Sequence, residues 1–422
     1  MEQSDEVLSD QQRRQVNAIA SLVVQADQAS IRQGVELAAA LNDQTVFAGL
    51  LAGVEPQPMK KKTPGNRRYP SLRGGDVFET STAGQAWMGL AVAHLLAASE
   101  LPLRTEVTSL ALGGPKKPKK PEPSLWLDGL ERLTSLTYLD LYVQAVDRGI
   151  DLSVLRRFPR LTHLRIRGPG IPSPLPSLEH LEFLQAGDIE LESDAAFPAL
   201  RSIKGRLHTV VPLRQSNIPR LVDVEARGGV RLDGFKSFRK LLCNGDVEVR
   251  GCERIDRLQF IRGSLHAPDL RHVGELIGTG PGFDLSQLET LGAVQFSRTT
   301  KFAGGVFPPG TQLLHPKITL WGPTLTDLGN VGELPGLEIL HLVRAANPIS
   351  LETLRHAKSL RVLDIRNSPG ITDLSPLIGL TNLEAIVMRE IDVLDIPDEL
   401  VDKIETVGAG TAYRRRPVTK KA

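Results

Sequence analysis

The sequence contains little cysteine and few aromatic residues. Only two of its 422 residues are cysteine, and Phe, Trp and Tyr together make up 5%. A disulfide-stapled scaffold is excluded, because such folds need several cysteine pairs. Cys243 and Cys252 lack the second Cys or His pair that a structural zinc site requires. The core is therefore expected to consist of aliphatic side chains.

The sequence also lacks a long hydrophobic run and an excess of one charge. The longest apolar run, residues 86–98, contains His94 and is shorter than the roughly 20 residues that span a bilayer. The first residues, MEQSDEVLSD, are polar and acidic, unlike a secretory signal. Basic residues number 51 and acidic residues 49. We expect a reduced, cytoplasmic protein without a membrane partner, and the high alanine and arginine content favours a bacterial one.

The near-neutral total hides an uneven distribution of charge. Residues 59–75, 113–124 and 412–422 together hold 15 basic residues and one acidic residue. The remainder has 36 basic and 48 acidic residues, a net charge of −12. Proline and glycine predict loops at 59–75 and 113–124, and residues 411–422 are predicted to be a basic, flexible tail.

Residues 1–100 are predicted to form a helical N-terminal cap. Apolar residues recur at helical spacing in 10–27, 31–42, 45–51 and 83–99. Asn42 and Asp43 are expected to break the second helix. Short amphipathic helices are not stable alone, so they are expected to pack on each other and on the part of the chain after residue 100.

From residue 101 to 410 the pattern Leu-x-x-Leu-x-x-Leu-x-Leu recurs. Clear copies are LTSLTYLDLYV (133–143), FPRLTHLRIRG (158–168) and LPGLEILHLVR (334–344). The residues assigned to its third apolar position are Leu139, Leu164, Leu181, Ile203, Val224, Leu241, Leu258, Val273, Leu291, Ile318, Leu340, Leu363 and Ile386. These 12 intervals span 247 residues, so the repeat averages about 21 residues.

On these motifs the chain resembles the leucine-rich repeat family, and ITDLSPLIGLTNLEAIVM (371–388) is similar to internalin-type repeats. The resemblance implies an α/β fold: a leucine-rich-repeat solenoid with a parallel sheet on its concave face, preceded by an all-helical region. Pro169 and Ser368 stand where the family has asparagine. Short intervals between Val224 and Val273 predict loops or short turns on the convex side, and segment 295–330 is irregular.

Alternation along a strand predicts which side chains face outward. Asp140, Arg165, Glu182, Lys204 and Glu225 alternate in sign on neighbouring strands and are expected to pair with one another. Arginines in the next column have no acidic neighbour within that column. We therefore predict that partner-binding residues are Tyr138, Tyr142, His163, Arg167, Arg206 and Arg227, since tyrosine and arginine are enriched at binding hot spots.

The sequence contains no motif of an active site. A G-x-S-x-G elbow, H-E-x-x-H and a P-loop are all missing. We predict a non-catalytic interaction module, with no catalytic residue, metal or cofactor, that binds a protein on its concave face. One alternative is a binder of nucleic acid or another acidic surface through the basic loops. A second is an enzyme with an unrecognised site in the N-terminal helices, which a pocket of ionisable residues there would favour.

Overall fold

A computed structural model of the chain describes residues 8–23, 28–51, 77–79, 86–112, 126–143, 150–168, 173–207, 212–279, 283–297, 307–322, 325–389, 391, 394–406 and 413–415. The basic loops 59–75 and 113–124, Pro169, and most of the tail 411–422 lie outside these residues. The chain divides into two compact units, Met1–His208 and Thr209–Ala422.

The first unit begins with short helices. They are α1 (Asp10–Val23), α2 (Gln28–Leu41), α3 (Gln44–Leu51), α4 (Ala86–Ala98) and α5 (Leu103–Glu106). The Asp43 carboxylate accepts the backbone N–H groups of Thr45 and Val46, which caps α3 at its first turn. None of the described helices is long and apolar enough to cross a membrane.

The helices lead into a parallel sheet in the first unit. Its strands are β1 (Val77–Glu79), β2 (Ser109–Leu112), β3 (Tyr138–Tyr142), β4 (His163–Arg167), β5 (Phe183–Ile189) and β6 (Ser202–Leu207). They pair in chain order and all in parallel. The N-terminal hundred residues are thus not all helical, because β1 adds a strand beside β2.

The second unit continues with many short strands. They are β7 (Leu213–Arg214), β8 (Asp223–Ala226), β9 (Val230–Asp233), β10 (Ser237–Cys243), β11 (Val247–Arg250), β12 (Arg254–Phe260), β13 (Leu265–His266), β14 (His272–Gly278), β15 (Phe283–Asp284), β16 (Thr290–Ser297), β17 (Gln312–Leu313), β18 (Lys317–Trp321), β19 (Ile339–Val343), β20 (Val362–Asp364), β21 (Ala385–Met388), β22 (Leu394–Ile396), β23 (Ile404–Thr406) and β24 (Tyr413–Arg415). Strands β8, β10, β12, β14, β16, β18, β19, β20, β21 and β23 form its main parallel sheet.

Short 3₁₀ helices connect several of these strands. They span Leu130–Arg132, Ser153–Arg157, Val331–Glu333, Glu352–His356, Ser375–Leu377 and Asp398–Lys403. Each unit is a parallel β-solenoid, in which successive coils of the chain stack their strands in register. The tail contributes β24, which pairs with β22.

A second parallel sheet replaces the loops expected between Val224 and Val273. Strands β7, β9, β11, β13 and β15 pair with one another in parallel. In this region Val224 pairs with Leu241 and Leu241 with Leu258, so one coil takes 17 residues. Such a coil is too short for a helix but holds two strands and two corners, because a strand of four residues spans only about 13 Å.

The strand register differs from the sequence prediction at three positions. Leu164 pairs with Leu184, not Leu181, and Leu258 pairs with Leu276, not Val273. The next predicted position, Leu291, is displaced in the same way, because Leu276 pairs with Val294. Each assignment was three residues too early. The cause is that apolar residues occupy several successive positions at a spacing of three, so the pattern fits in more than one frame.

The structure confirms Ile318 as a strand position and accounts for the serine at position 368. Ile318 pairs with Val294 and Leu340, so the described part of 295–330 continues the sheet. The buried Ser368 hydroxyl donates to the Leu342 carbonyl at 2.6 Å and accepts the Ala345 N–H at 3.1 Å. Ser368 therefore satisfies the backbone at the place where asparagine was expected.

Candidate binding surface on strands β3 and β4

Strands β3 and β4 bring three pairs of side chains together on the outward face of the first unit. Tyr138 lies opposite His163, Asp140 opposite Arg165, and Tyr142 opposite Arg167. The alternate residues, among them Leu139 and Leu164, are buried in the core. We call these six outward residues and Phe183 on β5 the β3–β4 patch.

Asp140 is the centre of the β3–β4 patch. It is buried although its position faces outward. Arg167 donates two hydrogen bonds to its carboxylate, at 2.8 and 2.9 Å. Arg165 Nη1 lies 3.6 Å from the same carboxylate. Arg167 lies opposite Tyr142 in its own column. The sequence prediction did not foresee that its long side chain reaches diagonally to Asp140 in the neighbouring column, a reach that cross-strand geometry permits.

Aromatic rings form a row beside this ion cluster. His163 stacks on Phe183 with ring centroids 4.5 Å apart, and Tyr138 follows at 6.3 Å from His163. At the other end the Arg167 guanidinium lies over the Tyr142 ring, 6.0 Å from its centroid. The row and the ion cluster make one continuous surface.

Phe183 is the residue of this surface that sequence reasoning missed. The sequence prediction places Glu182 on the outward face because it uses Leu181 as the strand anchor. With the strand at Phe183–Ile189, His180 is exposed before β5 and Glu182 precedes the strand. The signal available in the sequence was the run of apolar residues through Leu184.

The side chains of His163 and Tyr138 are both neutral near pH 7. Burial lowers the pKa of the His163 imidazole, and the Glu182 carboxylate offsets part of this effect. Burial also raises the pKa of Tyr138, and the negative charge of Asp140 adds to the rise. On β3 and β4 the charges are then two guanidinium groups around one carboxylate.

The predicted ladder of alternating charges is interrupted after Arg165. Gln185, not Glu182, lies between Arg165 and Lys204 in the sheet. In the second unit Glu225 lies opposite Leu242 on β10, and it forms an ion pair with Lys240 on the same strand. The alternating order thus fails where the register of β5 was assigned three residues too early.

The structure brings four of the six predicted binding residues together. Tyr138, Tyr142, His163 and Arg167 belong to the β3–β4 patch. Arg206 lies on β6, where it forms an ion pair with Asp188 at 3.3 Å. Arg227 belongs to the second unit, where it is exposed just after β8.

Arg165 retains unused hydrogen-bonding capacity. Its Nε atom is buried and has no hydrogen-bond partner among the described residues. Its side chain as a whole is 38% exposed, so part of it is open to solvent. Arg165 and Arg167 share the one carboxylate of Asp140, so a carboxylate of a partner could approach the Arg165 guanidinium.

The two thiols are poorly suited to chemistry. Both cysteines are buried, and burial raises the pKa of Cys243 to about 12 and that of Cys252 to about 11. The thiolate is the reactive form of cysteine. Within the described part of the chain no group of three or more His, Cys, Asp or Glu residues is placed to hold a metal ion.

No protein-family model matches the chain, and no curated protein matches it in sequence.

Proposed function

We propose that the protein is an irregular leucine-rich-repeat interaction module that binds an acidic segment of a protein partner on the β3–β4 patch. The observation that carries this proposal is the arrangement of Arg165 and Arg167 around one buried carboxylate beside a row of aromatic rings. Such a surface attracts carboxylates through its excess guanidinium and offers apolar ring area to flanking side chains.

The rigidity of the patch supports binding. Arg167 is held by two hydrogen bonds and lies over a ring, so it loses little side-chain entropy when a partner arrives. Ordering a free side chain costs about 0.5–1.5 kcal/mol on binding. Preorganised tyrosine and arginine side chains are the types that dominate interface energies.

The leucine-rich-repeat part of the proposal is supported by coil length outside the two-sheet region. Leu110 pairs with Leu139, and Leu139 with Leu164, at separations of 29 and 25 residues. Leu340 pairs with Leu363, and Leu363 with Ile386, each at 23 residues. These coils fall in the range of about 20–29 residues that leucine-rich repeats use.

Site-specific crosslinking tests the proposal. A photoreactive phenylalanine analogue at Tyr142 is expected to crosslink to a protein in the native cell, because Tyr142 borders the ion cluster. The matched control carries the analogue at Arg160, which is exposed and lies outside the strands. The Arg165→Gln change should lower the crosslink at Tyr142 by about tenfold, as expected for a hot-spot arginine. Equal crosslinking at Arg160, or no effect of Arg165→Gln, would refute the assignment.

A further inference from the structure

A cavity lies within the first unit, away from the β3–β4 patch. It has a volume of about 260 Å³. One wall is α2, the floor is α4, and the other wall is the segment 126–132. The lining residues are Arg32, Val35, Glu36, Ala39, His94, Ala98, Trp126, Asp128, Gly129 and Arg132.

His94 supplies an unused hydrogen-bond acceptor to this cavity. The residue is only 4% exposed, and its ring stacks on Trp126 with centroids 4.4 Å apart. Its Nε2 lies 3.3 Å from the Trp126 carbonyl oxygen. A carbonyl can only accept, so Nε2 carries the proton and Nδ1 of the neutral ring is an acceptor.

The free nitrogen of His94 points towards the cavity wall formed by Gly129. A Cβ placed on Gly129 would lie 4.0 Å from Nδ1. Nδ1 has no hydrogen-bond partner among the residues that the structure describes. Burial, reinforced by the positive charge of Arg32, lowers the pKa of His94 to about 4. Near pH 7 the His94 ring is therefore neutral, and its Nδ1 atom can accept a hydrogen bond from a ligand.

Charged side chains of both signs line the cavity, and all of them are exposed to solvent. Arg32 and Glu36 lie four residues apart on α2, while Asp128 and Arg132 have the same spacing on the opposite wall. Within the described residues none of the four forms an ion pair. The Arg32 guanidinium lies over the Trp126 ring, 5.1 Å from its centroid, and so is held at the edge of the cavity.

We propose that this cavity binds a small zwitterion of the α-amino-acid class. Its carboxylate would pair with Arg32 or Arg132, its ammonium group with Glu36 or Asp128, and an N–H would donate to His94 Nδ1. A phosphate dianion would be repelled by two carboxylates, and a plain cation by two guanidinium groups.

The size of the cavity supports an amino acid over a larger ligand. Pockets for drug-sized molecules measure about 300–1,000 Å³, and this cavity lies below that range. The apolar side chains of Val35, Ala39 and Ala98 leave room for a small aliphatic group beside the charges. This inference is independent of the partner proposed for the β3–β4 patch.

The test is titration calorimetry on the full chain with each common L-amino acid in turn. At least one should bind saturably, and its N-acetyl and methyl-ester derivatives should bind about tenfold more weakly or less, because each loses one charge-assisted contact. Two double variants remove one sign of charge each: Glu36→Gln with Asp128→Asn, and Arg32→Gln with Arg132→Gln. Both should weaken binding by about tenfold or more.

Two further variants make the result specific. His94→Phe keeps the ring stacked on Trp126 but removes the acceptor, and should also weaken binding about tenfold. Arg13→Gln, on the exposed side of α1, removes one charge outside the cavity and should leave affinity unchanged. The proposal fails if no amino acid binds, if blocked derivatives bind as well as the free one, or if both double variants bind normally.

Discussion

Asp140 shows how one residue can set the character of a surface. An acidic side chain on an outward strand position would ordinarily be solvated, but here two guanidinium groups cover it. Burial of a carboxylate is tolerated only with charged or hydrogen-bonding partners. The carboxylate in turn fixes Arg167, so the binding proposal and local stability depend on the same residue.

We expect Asp140→Asn to destabilise the first unit by about 1–3 kcal/mol, because it removes charge-assisted hydrogen bonds to Arg167. About a third of the Arg167 side chain is exposed to solvent, which screens the ion pair. The expected loss in free energy of unfolding is therefore towards the lower end of this range. Denaturant unfolding measures the change. The matched control is Asp188→Asn, which alters an exposed ion pair and should cost less than about 1 kcal/mol. Equal losses in both variants would show that Asp140 is not a structural centre.

His94 gives a prediction about pH. Its pKa falls from 6.5 to about 4 on folding, so the unfolded chain binds a proton that the folded chain does not. The stability contributed by neutral His94 is complete above pH 6.5 and is lost as pH falls to about 4. The loss amounts to about 3 kcal/mol, since each pKa unit corresponds to about 1.4 kcal/mol.

The prediction is checked by measuring the free energy of unfolding in denaturant between pH 7 and pH 4, with tryptophan fluorescence as the signal. This pH range covers the pKa of His94 in the unfolded and the folded chain. The charged neighbours Arg32, Glu36, Asp128 and Arg132 are kept in both proteins compared. His94→Phe should flatten the pH dependence relative to the unchanged chain. An unchanged slope in the variant would mean that other groups, and not His94, account for the acid sensitivity.

At the scale of elements, strand β4 is the clearest case of a predicted layer. Leu164 is 2% exposed and stacks between Leu139 and Leu184 in register. We expect Leu164→Ala to cost about 2–5 kcal/mol, the range for a buried leucine truncated to alanine. Arg160→Ala, on the exposed approach to β4, should change stability by less than about 0.5 kcal/mol. Thermal and denaturant unfolding measure both losses of stability. Equal losses in Leu164→Ala and Arg160→Ala would contradict the register of β4.

The sequence predicted the presence of the stacked strands better than their register. Alternating leucines identify β3, β4, β19 and β20 because only one frame places all apolar residues inside. In β5 and β14 a further apolar residue three positions away makes two frames almost equal. Neighbouring coils then decide between them, and that information lies in tertiary pairing. The second sheet was missed because its strands are only two to four residues long.

The candidate surface could be predicted only in part for a related reason. Outward positions on β3 and β4 follow from alternation, so Tyr138, Tyr142, His163 and Arg167 were found. The diagonal contact from Arg167 to Asp140 depends on a side-chain rotamer, which sequence spacing does not determine. The cavity beside His94 depends on how α2 and α4 pack, and no short motif encodes that packing.

At the scale of the whole molecule, the distribution of charge separates the two partner hypotheses. Outside three basic segments the chain carries a net charge of −12. A nucleic acid would be repelled by that body and would have to bind through segments such as 113–124. Phosphate contacts of this kind weaken steeply as salt concentration rises. An acidic protein segment on the β3–β4 patch would instead depend on particular arginine and aromatic side chains.

The two hypotheses make opposite predictions for a pair of variants. If the β3–β4 patch binds the partner, Arg165→Gln combined with Tyr142→Ala should reduce partner binding by about tenfold or more, while deletion of 113–124 has little effect. Arg167 is left unchanged in this design, since its removal would also expose the carboxylate of Asp140. Binding is measured with the partner identified by crosslinking, at low and at moderate salt. If only the deletion of 113–124 abolishes binding, and binding weakens steeply with salt, the basic loop and not the β3–β4 patch binds the partner.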